Sequence, residues 1–288
     1  DLSDQLRDAL TERSRTDVRD GIPIADGNRG LFLAYQPEVD LRTGRIVAVE
    51  ALVRWQHPQL GDVSPESFIS LAEQSDLIIV LGTWVLDESL RQLAAWSAAM
   101  PDLEITLRVN VSPVQLIDDV FVPMVQTTLA EHHIAGNQLC IEITEHSGVH
   151  DVSGVRNTLL ELRGLGVTSA LDDLASGFSS LGRLHALPID AVKIDRTLVS
   201  NIDGDVRARA IVEAILRLGE SLGLEVVAEG VERAEEAATL LALGCRRAQG
   251  HRFGRPVDGS QMQQLLGRKG RGRPTGASPK PRPWTAEI

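Results

Sequence analysis

LFLAYQPEVDLRTGRIVAVEALVR, residues 31–54, shows how the chain begins its fold. Two apolar runs, 31–36 and 46–54, flank the polar segment EVDLRTGR at 38–45. A crossover between parallel strands takes a dozen or more residues, whereas a hairpin needs far fewer. The two runs are therefore expected to be antiparallel neighbours.

Downstream the rhythm changes. Short runs rich in Val, Ile and Leu recur at 105–111, 139–144, 167–171, 191–194, 224–228 and 246–250. Segments of helical period lie at 65–74, 83–98, 121–132, 154–162, 206–222 and 234–243. Strand followed by helix, repeated, implies a parallel sheet. Eight strand runs in all fit a closed, TIM-like (β/α)8 barrel with an antiparallel first pair better than an open doubly wound sheet. Upstream, a short amphipathic helix is expected at 3–12, with Leu6 and Leu10 four apart, followed by a polar, Gly-rich linker. The expected division is residues 1–30 as helix and linker, 31–266 as the barrel, and 267–288 as a disordered basic tail.

Charge narrows the function. The net charge is −11, yet the tail from Gly267 holds six Lys or Arg against one Glu, leaving about −16 for the rest. So acidic a body repels nucleic acid polymers and anionic membranes. If it handles phosphate, a bound metal is the usual means of reversing the sign. No run approaches the ~20 apolar residues needed to span a bilayer. The opening DLSDQL has neither an initiator Met nor the pattern of a signal peptide, and it reads as part of something longer. Cys140 and Cys245 are expected to be buried free thiols in a reducing cytoplasm.

Ionisable residues interrupt the apolar runs. Glu50 lies in IVAVEALVR, Asn110 in ITLRVNVS and Glu142 in LCIEIT. Asp172-Asp173 ends VTSALDD, Lys193 interrupts AVKID, Glu229 ends LEVVAEG, and Gln249 ends RRAQG. One buried carboxylate is ordinarily a buried ion pair or a rim charge. Five, with an amide, at the carboxyl ends of barrel strands fall where barrel enzymes build their active sites. Like charges packed together need a cation, and oxygen ligands suit Mg²⁺ or Mn²⁺. P-loop, HExxH, paired CxxC and GxSxG patterns are absent, and Ser179-Ser180 has no nearby His to activate it.

With YQP at 35–37, EAL at 50–52, VNVSPVQL, IEITE, DDLASGFSSL, VKID, VAEGVE and QGHRFGRPV in this order, the chain resembles the EAL-domain phosphodiesterases over residues 31–257. The resemblance implies hydrolysis of one phosphodiester bond of cyclic di-GMP to linear pGpG, with two Mg²⁺ or Mn²⁺ ions per site. One metal would be held by Glu50, Asn110, Glu142 and Asp172, the second by Asp172, Asp173 and Glu229. Lys193 would orient the attacking water, assisted by Gln249, and Glu50 and Asp172 count with them as catalytic. Gln36, Leu52, Arg54 and Pro256 would face substrate, with Arg54 on a phosphate. Glu145 would anchor the loop after Asp173, and Asp195 and Glu232 would support the ligands. The resemblance further implies a homodimer, sensor or cyclase-like domains upstream, and a cytoplasmic setting, either free or as the cytoplasmic part of a membrane-attached protein.

The loop after Asp173 departs from the family's usual DFGTGYSSL, reading DLASGFSSL. Ala175 replaces a Gly that tolerates positive φ. That change keeps a second reading open, a cyclic di-GMP receptor that signals through a partner without turnover.

Overall fold

The hairpin at the start of the barrel is longer than its apolar runs. In the computed structural model, β1 spans Gly30–Asp40 and β2 Ile46–His57, so β1 absorbs the first three residues of the polar link. Asp40 closes the turn by accepting the backbone N–H of Arg42 at 2.9 Å and of Thr43 at 2.8 Å. Gly44 takes the left-handed conformation there, with φ +68°. The structure describes residues 2–15, 30–144, 151–174 and 182–269, without 183 and 185.

The remaining strands are β3 Gly61–Val63, β4 Thr106–Asn110, β5 Leu139–Thr144, β6 Thr168–Leu174, β7 Ala191–Ile194, β8 Glu225–Ala228 and β9 Arg247–Gln249. They run β1-β9-β8-β7-β6-β5-β4-β2, and pairing of β1 with β2 closes the ring of eight. β1 is antiparallel to both neighbours, β2 and β9, while the other seven are parallel. The expected TIM-like barrel and its antiparallel first pair are both present. β3 is an unforeseen short addition to the outer end of β2, formed after a turn whose two N–H groups His57 Nδ1 accepts.

Most of the hydrophobic core lies between the strands and the surrounding helices, with Trp96 and Phe68 wholly buried. The helix Val206–Leu222 ends where expected. Asp205 accepts two N–H groups at its start, and Gly223 takes the left-handed position at its end. The helix expected at 83–98 begins earlier, as Leu77–Ala99, because Leu77, Ile78 and Leu81 bury one face. Periodicity alone does not separate such a short apolar run from a strand.

The two ends also adjust the expected division. The helix Leu2–Arg15 packs Leu6 and Leu10 into the main core, each burial being worth roughly 2 kcal/mol. It therefore packs as part of the barrel body. At the other end a helix spans Gly259–Lys269, anchored by buried Met262 and Leu266 four apart. Gly267, Arg268 and Lys269, assigned to the tail, belong to this helix, and the residues beyond lie outside those described. Among the described residues, no helix is long and apolar enough to cross a membrane.

Candidate active site

The parallel strands bring their polar residues to one end of the barrel. Glu50 comes from β2, Asn110 ends β4, Glu142 lies in β5, Lys193 in β7, Glu229 follows β8 and Gln249 ends β9. β6 supplies two neighbours, Asp172 and Asp173, which regular alternation would send to opposite faces. Its pairing with β7 slips between Leu171 and Leu174, and Asp173 adopts φ 60°. This bulge re-aims the chain. One carboxylate oxygen from each of Asp172, Asp173 and Glu229 then lies within 4.8 Å of the others. Gly250 secures the far side, since a Cβ there would sit 2.2 Å from the carbonyl oxygen of Val231.

Lys193, wholly buried, stands at the centre. Its Nζ lies 2.6 Å from Glu229, 2.8 Å from Glu142, 3.3 Å from Glu50 and 3.7 Å from Asp172. Glu50 is further held by Asn110 Nδ2 at 2.7 Å and Gln249 Nε2 at 2.6 Å. Gln249 also donates to Gln36 Oε1 at 3.1 Å, and Gln36 Nε2 donates to the Gly254 carbonyl. Burial would raise the Glu50 carboxyl, but Lys193, Gln249 and Asn110 outweigh it and hold it below its usual value. Glu142 goes the other way, pushed up to about 8 by burial and by repulsion from Glu50 and Asp172, against the pull of Lys193. Burial likewise drives Glu229 well above the carboxylate range, against the pull of Lys193. For Lys193, burial is outweighed by Asp172, Glu142, Glu229 and Glu50, and its value is raised. One ammonium cannot neutralise this many buried carboxylates, and their burial and mutual repulsion are what raise Glu142 and Glu229.

Most predicted residues meet here: Gln36, Glu50, Asn110, Glu142, Asp172, Asp173, Lys193, Glu229 and Gln249. Gln36, Glu50, Asp172, Asp173, Glu229 and Gln249 open on a cleft of about 680 Å³ that Asp195 and Glu232 also line. Asp195 uses its carboxylate to cap the helix Arg196–Val199, and exposed Glu232 sits 3.9 Å from His251. Leu52 and Arg54 stand apart, beside a smaller apolar cavity of about 230 Å³ that also touches Asn110. Arg54 Nη1 donates to the Val53 carbonyl at 2.9 Å. Pro256 is half-buried beside Val257, whose backbone pairs with Tyr35. Glu145 and Ala175 lie outside the described residues, whereas Leu174 is buried and pairs with Ile194.

One residue of this neighbourhood escaped the sequence reading. Arg108, two before Asn110, is buried and 3.6 Å from Glu142. Its signal is a cation inside the apolar run ITLRVNVS.

The donor set suits a hard divalent cation: carboxylate and amide oxygens, with no sulfur or imidazole among the described members. Glu142 Oε1 and Gln249 Oε1 are buried and accept no hydrogen bond among the described residues. Orphaned acceptors of this kind suit a cation.

The chain belongs to the EAL domain family, whose model matches residues 17–256. It is 38% identical over 239 residues to a cyclic di-GMP phosphodiesterase of Pseudomonas aeruginosa, covering 83% of this chain and 40% of that protein. An uncharacterised protein of Mycobacterium tuberculosis is 44% identical over 236 residues, 82% of this chain and 38% of its own length. The chain thus spans about two fifths of these relatives. Among solved structures, the Pseudomonas aeruginosa MucR phosphodiesterase in its c-di-GMP complex superposes with a TM-score of 0.79 at 36% identity, covering 91% of this chain and 99% of that one. The EAL domain of Mycobacterium smegmatis DcpA gives 0.72 at 38% identity, covering 83% and 97%.

Proposed function

We propose that this chain hydrolyses one phosphodiester bond of cyclic di-GMP to linear pGpG, using two Mg²⁺ or Mn²⁺ ions. One observation carries the reading. The barrel mouth gathers five carboxylates, Glu50, Glu142, Asp172, Asp173 and Glu229, around a single ammonium, a formal charge of −4 that two divalent cations balance. The phosphodiesterase relative and the c-di-GMP complex of a structural neighbour support the substrate.

Glu50, Asn110, Glu142 and Asp172 would hold one ion, and Asp172, Asp173 and Glu229 the other. When bound, the ions supply Lewis acidity and charge neutralisation at the reacting phosphate. Lys193 and Gln249 orient the water that attacks phosphorus, and both are pinned by Glu50. The bond from phosphorus to the 3′ oxygen breaks as the new one forms. Arg54 receives the second phosphate with its guanidinium fork, while Gln36, Leu52 and Pro256 shape the wall against substrate. Asp195 and Glu232 flank the cleft, and the anchoring role expected of Glu145 belongs to the same proposal.

We read the barrel of residues 31–266, with the helices Leu2–Arg15 and Gly259–Lys269 that pack with it, as the catalytic unit. Homodimerisation, upstream sensor or cyclase-like domains and a cytoplasmic setting belong to the same proposal, and the greater length of the relatives, one of them a bifunctional diguanylate cyclase/cyclic di-GMP phosphodiesterase, supports further domains.

The test is incubation with cyclic di-GMP and Mg²⁺ or Mn²⁺, following pGpG by chromatography. The expected result is metal-dependent product that is lost on chelation and in Glu50→Ala. Chain that binds cyclic di-GMP and yields no pGpG would overturn hydrolysis in favour of a receptor.

A further inference from the structure

Below the acidic layer the barrel interior holds a second charged layer that the proposed reaction does not use. Its members are Glu38 on β1, Arg108 on β4, Glu225 on β8 and Arg247 on β9. Small residues Cys140, Ala170 and Ala191 form a separate buried cluster at this level, leaving room for guanidinium groups. Arg108 is 2% exposed, and all its edges are engaged. Nε donates to Glu38 Oε2 at 2.6 Å, and Nη2 to Glu225 Oε2 at 3.3 Å. Nη1 donates to Cys140 Sγ at 3.3 Å and lies 3.6 Å from Glu142 Oε1. The parallel register sets this up, opposing Asn110 to Glu142 and Arg108 to Cys140.

We infer that Arg108 is a positioning residue for the acidic site, holding Glu142 from beneath in the orientation that cation binding requires. Glu142 is strung between two cations, with Oε2 on Lys193 at 2.8 Å and Oε1 facing Arg108. Lys193 by itself would leave the carboxylate free to rotate about that single contact. Arg108 cannot swing away, because Glu38 and Glu225 occupy its other edges. Five donors in a rigid fork make this possible, and a lysine has no equivalent. Arg108 touches no substrate in this scheme and acts only through Glu142. The inference rests on the metal-site reading above.

The experiment is Mn²⁺ binding by electron paramagnetic resonance, normalised to the folded fraction from circular dichroism. The variant Arg108→Met with Glu38→Leu removes an ion pair together, and Glu225 keeps Arg247 at 2.5 Å. We expect Mn²⁺ affinity to fall about 10- to 100-fold, as for other groups that orient metal ligands, with turnover regained at high Mn²⁺. Arg108→Lys, which keeps the layer's charge, is the second variant and is expected to weaken affinity too. Arg247→Gln disturbs the same layer without removing a contact of Arg108 or of Glu142 and should leave affinity unchanged. Equal loss in that control would make the layer merely structural and overturn the inference. Unchanged affinity in both Arg108 variants would also overturn it, while leaving the metal site standing. Wild-type chain that binds no Mn²⁺ would instead sink the metal reading itself.

Discussion

Two layers of charge sit one above the other inside this barrel, and they differ in balance. The lower layer pairs two carboxylates, Glu38 and Glu225, with two guanidinium groups, Arg108 and Arg247. The upper sets five carboxylates against Lys193. Both are largely buried, so burial of charge does not distinguish them. A balanced layer is a structural solution, whereas an unbalanced one is stable only with protons or cations added from outside. The excess therefore supports the proposal of the upper layer as the functional site.

The comparison can be broken most directly through turnover. Asp172→Ala removes the carboxylate expected to serve both metals, so pGpG formation should fall at least about 10³-fold, ~4 kcal/mol of transition-state stabilisation. The same chromatographic assay on Arg247→Gln should give near wild-type rates. A comparable loss in both would erase the distinction between the layers.

Next in size is stability. Arg108→Ala leaves Glu38 buried without its closest partner, which should cost about 3 kcal/mol in chemical denaturation with chelator present. Arg108→Met with Glu38→Leu should cost much less, because the pair leaves together. If the double variant is as unstable as the single, the lower layer contributes more than balanced charge.

The smallest effect sharpens the contrast through pH. Glu142 has its folded value raised to about 8, above the usual carboxylate value of 4.5. Between these the folded chain holds a proton that the unfolded chain has released, so metal-free stability falls as pH rises across this window. Glu142→Gln lacks this proton, and its advantage over wild type should grow from pH 5 to pH 8 by at most ~1.4 kcal/mol per pH unit. Urea melts at both pH values, with chelator, measure it. An advantage that shrinks with pH would reverse the assignment of charge excess to the upper layer.

How much of this was readable without the fold varies by element. The runs at 139–144 and 191–194 became strands with the same bounds, and the helix at 206–222 did too, because periodicity, Asp205 and Gly223 all agree. The short link at 38–45 announced the antiparallel pair by its length. The residues 77–82 were not legible as helix, since a short apolar run suits either structure until its neighbours decide which face is buried. The C-terminal helix hid for a related reason: Met262 and Leu266 are two apolar anchors in a polar stretch, and only the core they enter explains them.

The acids of the site were visible one by one, as polar interruptions of apolar strands, and their family resemblance told which ones to group. Their spatial relations were not visible. Asp172 and Asp173 share a cluster only because a register slip and a positive φ turn the chain between them. Arg108 and Glu142 lie 34 positions apart and meet through parallel pairing of β4 and β5. Local pattern therefore suffices for elements, for the barrel and for the roster of candidate ligands, because each depends on neighbours in the chain. Charge balance within a layer is a sum over residues from four or five strands. It acquires a sign only once closure of the barrel packs them into one low-dielectric space.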